Sequence, residues 1–580
     1  MKLPARMQKK VWSVRPASPK ARVLAEKLNI SPVLGQLLTN RQIETESAAR
    51  AFLSPKLTDL IDPSRLPGID QAARRIHQAV SQGEKIAIYG DYDVDGITSV
   101  AILWHLLKML NAQVQYYIPH RIDEGYGLNC EAITQLAETG VRLLITVDCG
   151  ITAFTEIELA GTLGMDVIVT DHHKITNDLP KACAIVHPNL DTSYGNQNAS
   201  GALVAFKLAW AISNEFRANG PVSQPLRDYL LSATTLAGMG TIADVVDLRG
   251  ENRIIAGFGL RALAESKLHG IKALIESASL EAAGASSYDV AFKLAPTLNA
   301  AGRMGHARLA VELLTTDNQL QAYQIAQYLK DQNRQRQKCQ RDIFQQAKQR
   351  IVADNLHHPD RKTIVLSDAG WHSGVIGIVA SRIIDEFYRP TVMINIQNGK
   401  GHGSARSIAG FNLYEGLCAC SEHLISFGGH EMAAGLRIET ARIPDFASAF
   451  ETYARDRMAE GLTESTLHIE AETPLRDFTE RVMRELQMLE PFGQGNPRPV
   501  FAACGVKRIA PPRRVGAKSE HLQVAISDGT TSVRCIGFDM GHLEKKILEA
   551  DTFDVAFEPQ YNTYNGSTTL QLVLSDIRFE

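Results

Sequence analysis

Three short apolar runs in this chain each end in acidic or imidazole side chains. The runs and the residues that follow them are KIAIYG (85–90) with Asp91, Asp93 and Asp95; LLITV (143–147) with Asp148; and DVIVT (166–170) with Asp171, His172 and His173. Runs of this length, separated by helical stretches, predict parallel strands of an α/β sheet. Such sheets bind ligands outside the carboxyl ends of their strands. The sequence therefore predicts one polar cluster where the three strands end.

The cluster predicts a divalent metal site with two ions, because several carboxylates cannot share a cleft unless cations compensate their charge. The predicted ligands are Asp93, Asp95, Asp148, His172 and Asp244. The last of these lies in the apolar stretch GMGTIADVVDL (238–248), where an unpaired carboxylate is costly. Carboxylates suit Mg²⁺ or Mn²⁺, and the imidazole favours Mn²⁺. Two ions about 3.5–4 Å apart fit metal-assisted phosphoester hydrolysis.

Three residues of the cluster have more than one candidate role. Asp91 and Asp171 are either further ligands or residues that orient the ligands. His173 is a metal ligand, a general acid or a phosphate contact. A single DxD sequence at a turn is more often a solvated loop or a helix cap than a metal site. Three clusters at equivalent strand ends are what favours the metal site here.

The composition is that of a globular protein with several domains. The chain has 580 residues, of which 44% are hydrophobic and 22% charged, and about three or four domains are expected at this length. The net charge of −3 provides no overall basic field, although a local basic groove is compatible with it. Eight scattered cysteines without zinc spacing indicate a reducing cytoplasm. No signal peptide or membrane span is expected, because no apolar run approaches about 20 residues.

The pattern along the chain predicts five regions. They are an N-terminal helical cap on the main domain (1–70), a doubly wound parallel-sheet α/β domain with the acidic cluster (71–306), a long connecting helix (307–358), a second, smaller α/β domain (359–460) and a C-terminal β-barrel of the oligonucleotide-binding (OB) type (461–580). The connecting helix is predicted because the segment contains neither Gly nor Pro and is rich in Gln, Lys, Arg and Ala. The barrel is predicted from short strands separated by turns.

The order of the motifs resembles the DHH phosphoesterase superfamily. The motifs are GDYDVDG (90–96), TVDCG (146–150), TDHH (170–173) and GTIADVV (240–246). Further matches, which resemble the single-strand-specific exonucleases of this superfamily, are LNAAGRMG (298–305), GWHSGVIGIVASR (370–382), GHGSARS (401–407), SFGGHEMAAG (426–435) and LEPFGQGNPRPVF (489–501). The resemblance extends over nearly the whole chain.

The resemblance implies hydrolysis of single-stranded DNA from its 5′ end to mononucleotides, with Mn²⁺ or Mg²⁺. It implies roles in recombination and in recombinational, mismatch and base excision repair. Single-strand-binding protein and other repair and recombination factors are the implied partners. The five predicted ligands match the family's metal ligands, and the strand-end argument reaches them independently. A monomer in the cytoplasm is expected.

The resemblance also implies substrate contacts outside the metal cluster. Ser404 and Arg406 match a 5′-phosphate pocket, with His430 nearby, while Arg121 and Arg303 match contacts to substrate phosphates. Glycine amides, hydroxyl groups and an arginine fork suit a terminal phosphate. In the barrel, Lys507, Arg508, Arg513 and Arg514 form the predicted basic contact to DNA, with Phe538, Tyr561 and Tyr564 as candidate stacking residues. Most aromatic residues of a small barrel belong to its core.

Two alternatives remain open from the sequence. A DHH enzyme for small substrates would cleave pyrophosphate, cyclic dinucleotides or short oligonucleotides, but such chains usually lack the connector and the barrel. A scaffold that binds without catalysis would need to have lost ligands, whereas every expected acid is present. A nicotinamide-dependent dehydrogenase is the weakest alternative, since GxGxxG does not follow the first predicted strand.

Overall fold

The computed structural model of the chain describes residues 10–121, 124–125, 127–217, 220–458, 465–564 and 567–579. The chain divides into two compact units. The first unit consists of Arg50–Gln335 and Leu489–Pro497. The second unit consists of Met1–Ala49, Arg336–Met488 and Arg498–Glu580. The expected boundary between residues 460 and 461 lies outside the described residues.

Helices and strands alternate in residues 69–170, whereas residues 201–353 form a run of helices and residues 501–537 a run of strands. The helices are α1 (Pro19–Leu28), α2 (Pro32–Asn40), α3 (Glu46–Leu53), α4 (Ile69–Ser81), α5 (Val94–Met109), α6 (Cys130–Glu138), α7 (Phe154–Thr162), α8 (Gly201–Glu215), α9 (Gln224–Ala243), α10 (Gly250–Leu263), α11 (His269–Ser277), α12 (Ser287–Asp289), α13 (Ala295–Arg303), α14 (Ala307–Thr315), α15 (Gln319–Ala353), α16 (Ser373–Phe387), α17 (Leu413–Ala419), α18 (Ile443–Arg457), α19 (Glu480–Gln487) and α20 (Glu544–Glu549). The strands are β1 (Val11–Val14), β2 (Lys85–Gly90), β3 (Gln113–Tyr117), β4 (Leu143–Val147), β5 (Asp166–Thr170), β6 (Ala184–Val186), β7 (Ile364–Asp368), β8 (Thr391–Gln397), β9 (Lys400–Arg406), β10 (Ser426–Gly429), β11 (Ala433–Glu439), β12 (Thr466–Ile469), β13 (Ala471–Glu472), β14 (Phe501–Arg508), β15 (Arg513–Val515), β16 (His521–Ser527), β17 (Ser532–Gly537), β18 (Phe553–Tyr564) and β19 (Ser567–Arg578).

The first unit contains a parallel sheet with strand order β3-β2-β4-β5-β6. Its faces are covered by different helices. Ile86 and Ile88 of β2 join the core formed with α4, α5 and α8, whereas Ala87 and Tyr89 join the core formed with α6 and α7. Because both faces are buried, β2, β4 and β5 are apolar without alternation. The predicted doubly wound domain is confirmed.

The second unit contains a smaller α/β sheet with strand order β10-β11-β9-β8-β7. Strands β7 and β8 are parallel, and the other pairs are antiparallel. The second unit also contains a barrel. Strands β14, β18, β19, β17 and β16 follow one another, and β14 pairs with β16 to close the ring. These findings confirm the second α/β domain and the OB-type barrel.

Two of the predicted regions have different limits in the structure. The segment 307–358 is two helices, α14 and α15, because Thr316 leaves the helix with extended backbone, φ −74° and ψ 137°. The N-terminal residues up to Ala49 belong to the second unit rather than to the domain with the acidic cluster. Strand β1 pairs in parallel with β12, and Arg41 forms an ion pair with Glu470 at 3.1 Å. These distant partners could not be read from local sequence.

None of the helices in the described part of the chain is both long enough and apolar enough to cross a membrane.

Candidate metal centre

Asp93 and Asp95 are held at the start of helix α5. Asp93 is its N-cap, and Oδ1 accepts hydrogen bonds from the backbone N–H groups of Asp95 (3.0 Å) and Gly96 (3.2 Å). The carboxylate of Asp95 is buried and accepts from the N–H groups of Gly201 (2.6 Å) and Ala202 (2.9 Å), the first residues of α8. A helix N-terminus carries partial positive charge, so it stabilises this carboxylate. The backbone therefore fixes the orientation of Asp95.

Asp148 and His172 follow the neighbouring strands β4 and β5. Asp148 has φ +60°, an uncommon value for a residue with a side chain. Nε2 of His172 lies 3.1 Å from Oδ1 of Asp148, 3.6 Å from Oδ2 of Asp244 and 3.8 Å from Oδ2 of Asp95. Asp244 reaches this position from the C-terminus of α9, where its N–H donates to the carbonyl of Gly240 at 2.9 Å. One imidazole nitrogen thus lies among carboxylates from three separate segments.

The structure brings the predicted ligands into groups with metal-binding spacing. The groups are Asp95, His172 and Asp244; Asp91, Asp93 and Asp148; and Asp148, His172 and His173, with the ligand atoms of each group within 4.8 Å of one another. Asp148 is shared by two of these groups. Asp91, for which the sequence left the role open, lies within the second group.

Burial strongly affects the ionisation of these side chains. Burial, together with the charge of Asp93, raises the pKa of Asp91 to about 8 and that of Asp95 to about 7. Burial and the charges of Asp95 and Asp93 raise the pKa of Asp244 to about 9 and place that of Asp148 well above its usual range. Burial also lowers the pKa of His172 to about 4, so the imidazole is neutral at pH 7 and can donate its lone pair.

The residues of the cluster fit hard divalent cations. Among the described residues, the buried atoms Oδ1 of Asp91, Nε2 of His172 and Oδ2 of Asp244 make no hydrogen bond. Buried polar atoms are rarely left without a partner, because such a group loses its hydration without compensation. Carboxylate oxygens with one imidazole nitrogen form the donor set of Mn²⁺ or Mg²⁺ sites.

Both carboxylate oxygens of Asp171 accept hydrogen bonds from neighbouring groups. Its Oδ2 accepts from the N–H of Ile151 at 2.9 Å, and its Oδ1 accepts from the N–H groups of His172 (2.7 Å) and His173 (3.0 Å). Oδ1 also lies 2.7 Å from Nδ1 of His173. Burial would raise the pKa of Asp171, but the hydrogen bond and charge of His173 outweigh it and lower the pKa to about 2. For His173, burial lowers the pKa, but the bond to Asp171 produces a net rise.

Two glycines missed by the sequence reasoning allow the cluster to pack. A Cβ atom at Gly201 would lie 2.7 Å from Oδ1 of Asp148 and 2.9 Å from Oδ2 of Asp95. A Cβ atom at Gly240 would lie 2.7 Å from Oδ1 of Asp95. Gly240 is part of the GTIADVV motif, so the sequence contained a signal that could have identified it. Gly201, which follows Ser200, belongs to none of the motifs. Only the folded chain shows that α8 begins against the carboxylates.

Arg121 and Arg303 both lie near Tyr92, which belongs to the acidic segment after β2. The guanidinium carbon of Arg121 is 4.7 Å from the centre of the Tyr92 ring. Burial raises the pKa of the Tyr92 hydroxyl to about 12, and the charges of Arg121 and Arg303 oppose this rise. A Cβ at Gly302 would lie 2.9 Å from the carbonyl oxygen of Tyr92, so α13 also approaches this segment. Two predicted phosphate contacts are thus placed beside the acidic cluster.

Ser404 and Arg406 lie on strand β9 of the second unit. Nη1 of Arg406 is 3.2 Å from Oγ of Ser404. The backbone differs from the sequence expectation, because β9 pairs with both β8 and β11 and its glycine amides belong to the sheet. Side chains rather than glycine amides are therefore available to an anion. Gly377 of α16 faces them, since its Cβ would be 2.8 Å from Oγ of Ser404. His430 lies in the exposed turn between β10 and β11.

The basic residues of the barrel differ in their surroundings. Lys507 and Arg513 are exposed on β14 and β15. Arg508 donates to the carbonyl groups of Ile547 (3.1 Å) and Ala550 (2.5 Å) at the end of α20, and Arg514 forms an ion pair with Glu544 at 2.8 Å. Of the candidate stacking residues, Phe538 is 53% exposed and Tyr561 is 36% exposed. The side chain of Tyr564 lies outside the described residues.

Comparison with known families agrees with this architecture. Residues 85–234 match the DHH family, N-terminal domain; residues 360–456 match the DHHA1 domain; and residues 469–576 match the RecJ OB domain. The sheet and its acid–histidine cluster therefore define a DHH-family protein.

Matches over almost the full chain identify the particular family. The chain is 39% identical to single-stranded-DNA-specific exonuclease RecJ of Bacillus subtilis, over 97% of this chain and 70% of the relative. It is 32% identical to the exonuclease of the same name from Haemophilus influenzae, over 94% of this chain and 96% of the relative. The crystal structure of Thermus thermophilus RecJ in complex with Mn²⁺ matches with a TM-score of 0.84 and 31% identity, over 98% of this chain and 80% of that chain. This chain belongs to the RecJ family.

Proposed function

We propose that this chain is a metal-dependent exonuclease that hydrolyses single-stranded DNA from the 5′ end to mononucleotides. The observation that carries the proposal is the convergence of Asp93, Asp95, Asp148, His172 and Asp244 at the carboxyl edge of the parallel sheet. The RecJ relatives that match nearly the whole chain are named single-stranded-DNA-specific exonucleases. The Thermus structures are complexes with Mn²⁺ and with Mg²⁺, which supports either ion here.

The five convergent residues would hold two divalent ions, with Asp148 common to two of the ligand groups and Asp91 available to one of them. When bound, such ions supply a water of lowered pKa and neutralise charge on the leaving oxygen. Asp95 is already oriented by the N–H groups of Gly201 and Ala202, so little reorganisation of this carboxylate is needed. Asp171 holds His173 and raises its pKa, which makes His173 the candidate proton donor to the leaving oxygen.

Positive side chains provide the proposed contacts to the strand. Arg121 and Arg303, beside Tyr92, would bind phosphates next to the acidic cluster. Ser404 and Arg406 would bind the terminal 5′ phosphate, which carries more charge and more acceptor oxygens than a diester, and His430 would add a further contact. Recognition of a terminal phosphate is what would set the 5′-to-3′ direction. Lys507, Arg508, Arg513 and Arg514 would contact the strand in the barrel, with Lys507 and Arg513 the most accessible.

The cellular context is also part of the proposal. All eight cysteines are free, which suits the cytoplasm. The proposed partners are single-strand-binding protein, which coats the same substrate, and other repair and recombination factors. The protein is proposed to act as a monomer in recombinational, mismatch and base excision repair. Sedimentation of the chain with and without single-strand-binding protein would test both the monomer and the partner.

A 3′-labelled single strand with a 5′ phosphate tests the activity and its direction together. We expect a ladder of shortening labelled strands with Mn²⁺, no change with EDTA, and no digestion of a blunt duplex. Immediate release of the label as a mononucleotide would show the opposite direction. Cleavage of dinucleotides or pyrophosphate alone would agree with the proposed metal centre. It would show, however, that the enzyme acts on small substrates of the superfamily rather than on long single strands.

A further inference from the structure

One segment of the first unit comes from far along the sequence. Leu489–Pro497 belongs to the first unit, whereas the residues on both sides of it belong to the second unit. The segment falls within the residues that match the RecJ OB domain. It nevertheless contacts residues 247–253, which follow the predicted ligand Asp244. Neither the predicted ligands nor the phosphate contacts include it, so its sequence motif, LEPFGQGNPRPVF (489–501), still requires an explanation.

Asp244 begins an irregular segment, residues 244–249, that joins α9 to α10. Val245 has φ +63° and is 64% exposed, so the chain leaves the helix directly after the metal ligand. The other predicted ligands follow a buried strand or lie at the start of α5. Asp244 ends α9 and continues directly into this irregular segment, so whatever holds the segment also bears on the position of Asp244.

The backbone of Leu489–Pro497 holds this irregular segment. The N–H of Leu248 donates to the carbonyl of Gln494 at 2.8 Å. Nε of Arg249 donates to the carbonyl of Gly495 at 2.9 Å. Two consecutive residues, four and five positions after Asp244, are thus hydrogen-bonded to two consecutive residues of a segment almost 250 positions away.

Glycines permit the close approach of the two segments. A Cβ at Gly493 would lie 2.7 Å from Cδ1 of Leu248, which is buried. A Cβ at Gly495 would lie 2.9 Å from the carboxyl carbon of Asp247. Gly495 also has φ +70°, which strains a residue with a side chain. Any larger residue at position 495 would push on the side chain of Asp247, three residues after Asp244.

The first residues of Leu489–Pro497 are fixed to helix α10. Arg253 is 2% exposed, and its guanidinium group donates to the carbonyl groups of Leu489 (2.9 Å) and Glu490 (2.8 Å). Asn496 is buried, and its Nδ2 donates to the carbonyl groups of Leu489 (2.7 Å) and Pro491 (2.9 Å). Because the segment is anchored to α10 and bonded within itself, it provides a rigid surface for residues 247–249, the second half of the irregular segment.

We propose that Leu489–Pro497 positions Asp244 for metal binding by holding residues 244–249 against α10. The inference rests on the proposed metal centre and assigns that centre a support from the distal part of the chain. Gly495, Gly493 and Asn496 are positioning residues, because they act on the ion through Asp244. Residues that orient metal ligands commonly change metal affinity by about 10- to 100-fold when they are replaced.

Mn²⁺ titrations of the full chain, followed by electron paramagnetic resonance, test the proposal without relying on activity. Gly495→Ala adds the Cβ that meets Asp247, and we expect about tenfold weaker Mn²⁺ binding. Gly140→Ala is the matched control, since Gly140 has φ +85° but nothing within 4 Å of its Cβ position. Both changes should lower the melting temperature in EDTA, but only Gly495→Ala should weaken Mn²⁺ binding. Its nuclease activity should return at raised Mn²⁺ concentration.

Arg249→Ala is the second test, because it removes one bond to the segment from an exposed side chain and carries little risk to folding. We expect a smaller loss of Mn²⁺ affinity in the same direction. If Asp244→Ala weakens Mn²⁺ binding while Gly495→Ala and Arg249→Ala match the unaltered chain, the positioning role is wrong. If Asp244→Ala itself binds Mn²⁺ like the unaltered chain, the proposed role of Asp244 in the metal centre fails, and the positioning role fails with it.

Discussion

The metal centre and the Ser404–Arg406 site differ in how their side chains are held. Asp95 is buried, and both of its carboxylate oxygens accept backbone hydrogen bonds from the start of α8. Arg406 is half-buried, and its guanidinium group bonds to Ser404 and to the carbonyl of Ala405 on its own strand. The side chains of the metal centre are therefore oriented without a ligand. The Ser404–Arg406 site relies instead on the long side chain of a residue in a regular strand. Catalysis should therefore be sensitive to small backbone changes at the first site, and recognition should be sensitive to side-chain chemistry at the second.

The largest effect is expected from removing a predicted ligand. Asp93→Ala should reduce exonuclease activity by about 10³-fold or more, because a bound ion contributes several kcal/mol to transition-state stabilisation. Initial rates of mononucleotide release in Mn²⁺ provide the measurement. Asp178→Ala is the control, since Asp178 is exposed outside the cluster. Activity of Asp93→Ala within tenfold of the unaltered chain would contradict the assignment of this ligand.

Replacing glycine with alanine should lower activity at the metal centre but not at a helix position away from it. Gly201→Ala places a Cβ against the carboxylates of Asp148 and Asp95, and we expect about 10- to 100-fold lower activity. Gly161→Ala, in α7, adds the same group where nothing lies within 4 Å. It should leave activity unchanged and stabilise the fold by up to about 1 kcal/mol. Equal activity of the two variants would show that the carboxylates tolerate displacement.

The second site should respond to side-chain chemistry instead. Arg406→Ala should lower the preference for a 5′ phosphate over a 5′ hydroxyl by roughly tenfold or more, because a charged hydrogen bond contributes about 1.5–3 kcal/mol. The ratio of kcat/KM values for the two strands is the measurement, and Arg437→Ala, an exposed change on β11, is the control. An unchanged ratio would show that Arg406 does not recognise the terminal phosphate.

The electrostatics of the metal centre predict opposite effects of pH with and without Mn²⁺. The pKa of Asp91 is raised to about 8 and that of Asp244 to about 9, so the folded protein without metal binds more protons than the unfolded chain between about pH 4 and 9. Its stability in EDTA should therefore fall as pH rises through this window, by up to about 1.4 kcal/mol per pH unit for each such proton. Mn²⁺ competes with those protons, so its stabilising effect should grow over the same range.

Melting curves at pH 6, 7.5 and 9, with EDTA or Mn²⁺, provide the measurement. Asp244→Asn removes one of the groups and should make the dependence in EDTA less steep. A melting temperature in EDTA that rises from pH 6 to pH 9 would contradict the sign of the predicted effect.

The smallest effects are expected in the barrel. Arg508 caps the end of α20 through two carbonyl groups, so Arg508→Ala should cost stability, by about 1–2 kcal/mol. Arg513 is exposed, so Arg513→Ala should weaken DNA binding a few-fold and reduce its dependence on salt without a loss of stability. Denaturant unfolding and strand binding at two salt concentrations separate the two roles. If Arg508→Ala and Arg513→Ala lose DNA affinity equally and neither loses stability, the two residues have the same role.

The sequence alone was most informative where strand ends carry the chemistry. The apolar runs before Asp91, Asp148 and Asp171 predicted adjacent parallel strands, and the register of β2, β4 and β5 places their ends together. Asp244 was found from the cost of burying a carboxylate in an apolar stretch. The same reasoning was less informative in GHGSARS, because a glycine-rich run does not reveal whether its amides already belong to a sheet.

Local patterns thus determined the class of fold, the candidate ligands and the kind of ion, since strand length, periodicity and ligand chemistry are properties of neighbouring residues. Tertiary structure alone decided that Gly201 faces Asp95 and Asp148, that residues before Arg50 join the second unit, and that Leu489–Pro497 holds the segment after Asp244. These contacts join residues far apart in the chain. Which distant residues meet depends on how whole elements pack to bury their apolar faces, and local sequence does not contain that information.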